Sequence, residues 1–430
     1  MGQKIIKKVN KPIEATVRVP GSKSITNRAL LISAFCDGRS YLNNALFSDD
    51  TKVFIDSLEK LGIKTRIKGN DIRVDGEGGN IPNKNAGIYV GSAGTAARFL
   101  TAALAFSEGT YHIEASDQMK RRPMKPLFEA LNRMGSFVEC VEKPGFLPVF
   151  TGAGEEMRSE VSVDSDISTQ FLSALLLAAP IVTAGTGKDM VINVTGARAE
   201  GAYVKMTLEI MKRFGVRVKR SDTGFIVEEG QCYEAGEYDI EPDVSAACYF
   251  YGAAALTGGS VTVSGVKRDT IQGDIRFLEV LEKMGCVTED TEDGIRLTGP
   301  AEGRLSGIDI DMKDFSDQTM TLAAIAPFCS GSVTIRNVGH IRKQESDRIS
   351  AVCTELKKLG VAVEEYEDGM KICPGEVKPG VVETYNDHRI AMAFSLTGLK
   401  ADGIVIDNYE CCSKTFVHFF EILENIYQNT

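Results

Sequence analysis

The chain has 430 residues, of which 43% are hydrophobic and 25% are charged, and its formal net charge at pH 7 is −10. This length exceeds what one hydrophobic core can organise, so we expect two or more domains. The acidic balance argues against nonspecific binding to nucleic acid or membranes, and any anion site must therefore be a local concentration of positive charge.

Cysteine and histidine usage indicates a reduced, metal-free protein. The ten cysteines form no CxxC pair, and with only four histidines we expect no structural zinc site. The N-terminal stretch MGQKIIKK lacks the apolar core of a signal peptide. The longest apolar run, FLSALLLAAPIV, is too short to span a bilayer. We therefore expect a cytoplasmic protein with free thiols.

The first predicted helix begins in VPGSKSITNRALL, where small residues surround Lys23 and Ser24 and an apolar run follows Arg28. A helix N-terminus offers unpaired N–H groups and partial positive charge, and Gly21 keeps the backbone accessible. The spacing is not that of a P-loop. Alone, this stretch is compatible with a phosphate site and equally with an ordinary capped helix.

Six segments along the chain share this plan, a small or polar start followed by an apolar helix. They cover residues 21–35, 91–106, 165–180, 241–256, 315–328 and 385–399. Helices that are apolar on every side are expected to be buried. Their N-termini are expected to converge within each domain, which would concentrate positive potential there.

A second series alternates with the first and consists of amphipathic helices that end in glycine. Its members are LEKLG (58–62), LNRMG (131–135), MKRFG (211–215), LEKMG (281–285) and LKKLG (356–360). The glycines are typical helix C-caps, and pairs of strand-like segments follow them. The two series together predict six repeats of a βαβαββ module. We expect EATVRVPG and the last helix, FVHFFEILENIY, to complete one module across the termini.

The repeats divide the chain into two predicted domains of three modules each. One is discontinuous, residues 1–20 with 241–430, and the other is residues 21–240. The basis is that three buried helices fall on each side of these boundaries.

Eight motifs in order give the chain a family resemblance. They are PGSKSITNRALL, AGTAARFL, STQFLSALL, EPDVSAACYF, SDQTMTLA, ESDR, YNDHRIAM and SKTF. Alone, ESDR could be an exposed salt-bridged helix start and the NDHR of YNDHRIAM a capping turn. In this order they resemble the 5-enolpyruvylshikimate-3-phosphate (EPSP) synthase family over essentially the whole chain.

The resemblance implies a fold and a reaction. The fold has two inside-out α/β domains, each of three βαβαββ modules, with the active site in the cleft between them. The reaction transfers the enolpyruvyl group of phosphoenolpyruvate to the 5-hydroxyl of 3-phosphoshikimate and releases phosphate, through a tetrahedral intermediate. No metal or organic cofactor is implied, the partners are the two small substrates, and a monomer is expected.

The resemblance also implies site residues. The 3-phosphoshikimate contacts are Lys23, Ser24, Arg28, Ser168, Thr169, Gln170, Asp317 and Gln344. The phosphoenolpyruvate contacts are Lys23, Gly94, Arg122, Gln170, Arg348, Arg389 and Lys414. The catalytic residues are Lys23, Asp317, which would accept the hydroxyl proton, and Glu345, which would handle the methylene proton. Arg98 and His388 are supporting residues.

The sequence departs from the family pattern at several positions. The family usually has Asn at Ser92 and Lys at Gln344, and often Ser near Glu200 and Asn near His340. The last three are expected on the shikimate side, so they leave the recognition of its hydroxyls and carboxylate open.

Gly94 gives one expectation about inhibition. In the family, the herbicide glyphosate takes the donor's place and reaches toward the glycine matched by Gly94. A β-methyl there is expected to clash with the inhibitor, so Gly94→Ala should weaken glyphosate more than phosphoenolpyruvate.

Two other functions remain open. UDP-N-acetylglucosamine enolpyruvyl transferase shares fold and donor, but it typically has Lys-Asn where this chain has Lys23-Ser24, and a cysteine in the loop matched by residues 116–123, which has none. A non-catalytic paralogue is the second alternative. The presence of Asp317, Glu345 and Lys23 argues against it.

Overall fold

The structure is a computed structural model that describes residues 2–196 and 201–428. Glu200, one of the departures from the family pattern, lies outside the described residues. The described chain forms two compact units, Met1–Pro20 with Glu241–Thr430, and Gly21–Ile240.

Thirteen α-helices occur in the described ranges. They are α1 (Lys23–Phe35), α2 (Asp49–Lys60), α3 (Gly94–Ala105), α4 (Asp117–Lys120), α5 (Lys125–Arg133), α6 (Thr169–Thr186), α7 (Ala202–Arg213), α8 (Val244–Thr257), α9 (Phe277–Lys283), α10 (Thr319–Ile325), α11 (Arg348–Lys358), α12 (His388–Lys400) and α13 (Phe419–Gln428).

The strands of the same ranges are short, three to seven residues each. They are β1 (Gln3–Ile5), β2 (Glu14–Val17), β3 (Asp37–Asn43), β4 (Lys64–Lys68), β5 (Asp71–Glu77), β6 (Asn85–Tyr89), β7 (Thr110–Glu114), β8 (Phe137–Cys140), β9 (Val149–Gly152), β10 (Glu160–Asp164), β11 (Met190–Thr195), β12 (Val218–Ser221), β13 (Gly224–Val227), β14 (Glu237–Asp239), β15 (Ser260–Ser264), β16 (Val287–Asp290), β17 (Gly294–Thr298), β18 (Ile308–Asp311), β19 (Val333–Arg336), β20 (Val363–Tyr366), β21 (Gly369–Ile372), β22 (Gly380–Val382) and β23 (Ile404–Asp407).

These strands form six small sheets with a repeated topology. In one of them β6 runs parallel to β7, β7 runs antiparallel to β9, and β8 runs antiparallel to β9. Four other sheets repeat this arrangement, and the sixth has three strands in the order β1-β23-β22. The βαβαββ prediction is therefore confirmed.

The helices of the first series form the centre of each unit. All twelve residues of α3 are buried, and α3 packs against α6 and α1. In the other unit α12 packs against α10 and α8. Strands such as β10 alternate buried and exposed residues, so the sheets have one solvent face. The inside-out expectation is confirmed because helices rather than sheets occupy the core.

The glycines after the amphipathic helices have the backbone conformation of a C-cap. Gly62, Gly135, Gly215, Gly285 and Gly360 have φ angles of 91°, 94°, 87°, 110° and 83°. An L side chain rarely adopts this left-handed region, so each position favours glycine.

Two predicted helix boundaries were wrong. Helix α6 continues past Pro180 to Thr186 and ends at Gly187, which has φ of 61°. It is long and apolar enough to cross a membrane by length and composition, but 72% of its residues are buried inside the protein, as in a core helix. The segment 315–328 is broken, with a 3₁₀ turn at Lys313–Gln318 before α10 and a second at Ala326–Phe328, which contains Pro327.

The expectation for the N-terminal strand was wrong in part. EATV does form β2, and α13 packs against it. However, β2 pairs in parallel with β15, whereas β14 supplies the corresponding strand beside β3. The N-terminal strand of the sixth sheet is β1, which pairs with β23. Three residues within a lysine-rich stretch are too few to give a strand pattern, so the sequence did not indicate β1.

Candidate active site

In the unit Gly21–Ile240, Lys23 is the first residue of α1. Its Nζ lies 3.4 Å from Oδ2 of Asp50, a buried acid at the start of α2. Lys23 therefore lies at a helix N-terminus with a carboxylate beside it. An anion that binds there has to compete with Asp50 for the positive charge of the lysine.

Arg28, one turn further along α1, is 1% exposed. Its Nε donates to Thr207 Oγ1 at 2.8 Å, and its other nitrogens donate to the carbonyl oxygens of Ser24 at 3.0 Å and Tyr203 at 3.3 Å. The guanidinium lies 5.1 Å from the ring centroid of Phe99. Burial lowers the pKa of Arg28 to about 10, so the group stays charged at neutral pH. Its neutral partners leave that charge able to attract an anion.

At the start of α3 two arginines converge on Gly94. Arg98 Nη1 donates to the Gly94 carbonyl at 3.0 Å and to Gln170 Oε1 at 2.8 Å. A Cβ on Gly94 would lie 2.5 Å from Arg98 Nη1 and 2.8 Å from Arg122 Nη1. Both arginines are buried. Glycine at this position is therefore what lets the two guanidinium groups approach the helix start.

The start of α6 and the loop before α5 complete this group. Ser168 is the N-cap of α6, and its Oγ accepts from Gln170 N at 3.3 Å, while Thr169 beside it is buried. Ser92, just before α3, has its Oγ 2.8 Å from Ser116 Oγ, and Ser116 caps α4, which precedes Arg122 in the chain. The departure at Ser92 is thus connected to the turn that carries a predicted site arginine.

In the other unit, Arg348 is the centre of a network of six charged residues. This network, called the Arg348 network below, consists of Asp317, Glu345, Arg348, Asp387, Arg389 and Lys414. Arg348 is 2% exposed. Burial by itself would lower the pKa of Arg348, but the charges of Asp387, Glu345 and Asp317 raise it above its usual value. The guanidinium therefore remains protonated.

Each of the two predicted proton-transfer carboxylates contacts two cations. Asp317 accepts from Arg348 Nη1 at 3.1 Å and from Arg389 Nη2 at 2.6 Å. Glu345 accepts from Arg348 Nη2 at 2.9 Å and from Lys414 Nζ at 3.1 Å. One arginine thus holds both carboxylates, each of which has a second cation of its own.

The remaining predicted residues border this network. His388 is the first residue of α12 and is buried, with Nδ1 3.8 Å from Asp387 Oδ1. His340 Nε2 lies 2.7 Å from Ser316 Oγ, next to Asp317 in the chain. Gln344, which precedes Glu345, is half-buried.

Sequence reasoning missed the acids that pair with the site cations. Asp387 accepts from Arg348 Nε at 2.8 Å and caps α12 by accepting from Arg389 N at 3.0 Å. Asp50 contacts Lys23. An acid at a helix start is by default a cap, so neither position gave a separate signal. With these two acids, the cations Arg348, Arg389 and Lys414 of one unit contact three carboxylates, and Lys23 of the other unit contacts one.

Within residues 2–196 and 201–428, no group of three or more His, Cys, Asp or Glu side chains is arranged to hold a metal ion.

Comparisons with known proteins agree on one family. The family model EPSP synthase (3-phosphoshikimate 1-carboxyvinyltransferase) matches residues 7–423. The curated 3-phosphoshikimate 1-carboxyvinyltransferase of Nostoc punctiforme is 46% identical over 423 residues, which are 97% of this chain and 98% of that protein. Its counterpart from Trichormus variabilis is 47% identical over 416 residues, or 96% of each chain.

A solved structure matches over the same extent. An EPSP synthase from Acinetobacter baumannii aligns with a TM-score of 0.81 and 23% identity, and the match covers 99% of this chain and 98% of that one. At this identity the likeness shows the fold.

Proposed function

The chain belongs to the EPSP synthase family, and on that premise we propose that it transfers the enolpyruvyl group of phosphoenolpyruvate to the 5-hydroxyl of 3-phosphoshikimate. Inorganic phosphate is the second product. The reaction adds the hydroxyl oxygen to C2 of the donor and a proton to C3, and then eliminates phosphate as a proton leaves C3.

The observation that carries this proposal is the pair of carboxylates held by Arg348. The reaction has to remove a proton from a hydroxyl, and it has to add and then remove a proton at carbon. Asp317 and Glu345 supply two separate groups for these steps. Arg389 and Lys414 provide the cations that a donor with a phosphate and a carboxylate needs, and both already lie within 3.1 Å of those acids.

The ion pairs link substrate binding to basicity. While Arg389 holds Asp317, it stabilises the ionised carboxylate and makes it a weak base. An anionic donor that binds Arg389 draws that cation away from Asp317. Asp317 then takes up a proton more readily, so the base becomes stronger when the donor is in place. The same reasoning applies to Glu345 and Lys414.

The substrate contacts are assigned by charge and position. For phosphoenolpyruvate we assign Lys23, Gly94, Arg122, Gln170, Arg348, Arg389 and Lys414. For 3-phosphoshikimate we assign Lys23, Ser24, Arg28, Ser168, Thr169, Gln170, Asp317 and Gln344. Arg28 suits the acceptor because a buried guanidinium with neutral partners can form charge-assisted hydrogen bonds to an anionic oxygen. Arg98 holds Gln170, and His388 supports Arg389.

A phosphate-release assay with a choice of acceptors tests the function. The enzyme with phosphoenolpyruvate and 3-phosphoshikimate should release phosphate continuously. With UDP-N-acetylglucosamine in place of 3-phosphoshikimate, no release above background is expected. Release only with the nucleotide sugar would indicate a UDP-N-acetylglucosamine enolpyruvyl transferase, and release with neither acceptor would indicate a non-catalytic paralogue.

Two isosteric variants test the roles of the carboxylates. We expect Asp317→Asn and Glu345→Gln each to lower turnover by about 100- to 10,000-fold, because each removes a general acid or base. Asp314→Asn is the matched control, since Asp314 lies in the same 3₁₀ turn but is exposed and pairs with Arg276. If Asp317→Asn kept the turnover of Asp314→Asn, Asp317 would not be the base.

We also propose that the protein is a soluble cytoplasmic monomer. All ten cysteines are free thiols, which supports a reducing compartment. Light scattering coupled to size exclusion should give the chain mass of 46.7 kDa. Twice that mass would contradict a monomer.

A further inference from the structure

A buried carboxyl group outside the predicted site adjoins the Arg348 network. Asp274 lies in the 3₁₀ turn Gly273–Arg276 and is 5% exposed. Its Oδ2 accepts a hydrogen bond from Gln318 Nε2 at 3.0 Å and another from Ser245 Oγ on α8. A buried carboxylate without charge neutralisation is costly, so its retention here calls for an explanation.

Gln318 connects this group to the predicted base. It follows Asp317 directly, is fully buried, and its Oε1 accepts from Thr321 Oγ1 at 3.0 Å. The turn Lys313–Gln318 is irregular, because Phe315 has non-helical angles of φ −138° and ψ 41°. Side-chain bonds between Gln318 and both Asp274 and Thr321 therefore fix the end of a turn whose backbone is kinked at Phe315.

We propose that Asp274 is a positioning residue for the transfer reaction: through Gln318 it holds the turn that presents Asp317, and its negative charge makes Asp317 a stronger base. The inference rests on the role assigned to Asp317 under the proposed function. Asp274 itself touches neither substrate in this proposal.

The effect of Asp274 on the basicity of Asp317 follows from the groups around Asp274. The charged groups that act on Asp274 are Asp317 and Arg389, and its uncharged neighbours are Ser245 and Cys248 on α8 and Gln318 in the turn. Burial, and after it the charge of Asp317, raises the pKa of Asp274 to about 6 against the opposing effect of Arg389. Coupling between two titrating groups is reciprocal, so an ionised Asp274 raises the proton affinity of Asp317 by the same amount.

Asp274→Asn separates charge from shape. The amide keeps an oxygen that can accept from Gln318 and Ser245, and it removes the negative charge. We expect kcat to fall about 10-fold through the weaker base, with both KM values within about 3-fold of wild type, and we expect the acidic limb of the kcat/KM profile to move to lower pH. The sign follows because the loss of a nearby negative charge lowers the pKa of Asp317.

Two further variants separate positioning from general stability. Gln318→Met breaks the link to the turn and leaves Asp274 charged, so it should lower kcat without moving the acidic limb. Ser245→Ala removes the other hydrogen bond to the same oxygen and keeps the link, so its kcat should stay within about 3-fold of wild type. Melting curves of all three variants identify any that fail to fold.

The outcomes distinguish this inference from the function on which it rests. If Asp317→Asn is inactive while Asp274→Asn keeps the wild-type kcat and pH profile, the inference is wrong and the proposed function stands. Equal losses in Asp274→Asn and Ser245→Ala would also overturn it, because they would indicate a purely structural role. If Asp317→Asn itself stays active, the assignment of the base fails first. Should Asp274→Asn not fold, a Gln318→Met enzyme with wild-type kcat would overturn the inference.

Discussion

At Gly94 the space that a side chain would need is occupied by two arginines of the same unit. From the sequence we expected a glycine here because a ligand approaches the backbone. Gly94→Ala was therefore expected to weaken the binding of glyphosate more than that of phosphoenolpyruvate. The structure adds a different cause. A β-carbon would lie within 2.8 Å of nitrogens of both Arg98 and Arg122. These two side chains therefore have to move even when no ligand is bound.

We therefore predict that Gly94→Ala raises the KM for phosphoenolpyruvate. Overpacking of this kind costs about 1–3 kcal/mol, or roughly 5- to 150-fold in affinity. Gly87→Ala is the matched control, because a Cβ on Gly87 would meet nothing within 4 Å. Steady-state kinetics of the two variants give the comparison.

The inhibition constant for glyphosate decides between the two causes at Gly94. Displaced arginines should weaken the inhibitor and phosphoenolpyruvate by similar factors. A much larger change for glyphosate would favour the direct clash that the sequence suggested. A KM for Gly94→Ala equal to that of Gly87→Ala would contradict the displacement of the arginines, and an unchanged inhibition constant as well would contradict both causes.

Residue patterns predicted cations better than their partners. Lys23 and Arg28 stand out in the sequence because a positive residue at the start of an apolar helix is unfavourable without a purpose, whereas Arg348 begins the amphipathic α11 and was assigned through the family resemblance. Asp387 and Asp274 did not stand out. An aspartate before a helix is ordinary capping, and a buried aspartate in a turn leaves no periodic trace.

At the scale of elements, the loop before α12 is held in an unusual conformation. Tyr385 and Asn386 are consecutive left-handed residues, with φ of 53° and 55°. Such conformations cost on the order of 1–3 kcal/mol each. Glu355 on α11 opposes that cost, because its carboxylate accepts from Tyr385 Oη at 2.7 Å and from Glu383 N at 3.0 Å. Helix α11 also begins at Arg348, so one helix anchors both the loop and the network.

Tyr385→Phe should destabilise the unit that contains α11 and α12. The variant loses one hydrogen bond to a buried carboxylate, worth about 1.5–3 kcal/mol, which corresponds to a few degrees in melting temperature. Tyr366→Phe serves as the comparison, since Tyr366 makes a similar bond to Glu364 on the exposed surface. Calorimetry in which both variants melt like wild type would show that Glu355 does not stabilise the loop.

The regular elements were more predictable than their interruptions. Glycine at fixed spacing after an amphipathic helix marks a C-cap, and the five left-handed glycines follow from that local rule. The 3₁₀ turn Lys313–Gln318 does not follow from any local rule. Its end is held by a bond to Asp274, which comes from another part of the fold, and by a bond from Thr321 on the helix that follows.

At the scale of the whole molecule, repetition explains why the fold class could be predicted. Six copies of one module give six independent chances to detect the module in the sequence. Eight motifs in the same order as in the family then indicate which family the chain resembles. The pairing of β2 with β15 and of β14 with β3 was not accessible in the same way. A strand's hydrophobic pattern records which face is buried, and it does not record which of several equivalent edges the strand joins.

The proposed reaction moves the enolpyruvyl group and leaves the ring phosphate of the acceptor in place. Phosphorus NMR of equimolar phosphoenolpyruvate and 3-phosphoshikimate with the enzyme follows each phosphate separately. We predict that the donor signal is lost and inorganic phosphate appears one for one, while the phosphate ester of the acceptor persists. Loss of the ester signal, or phosphate release from the donor without conversion of the acceptor, would contradict enolpyruvyl transfer.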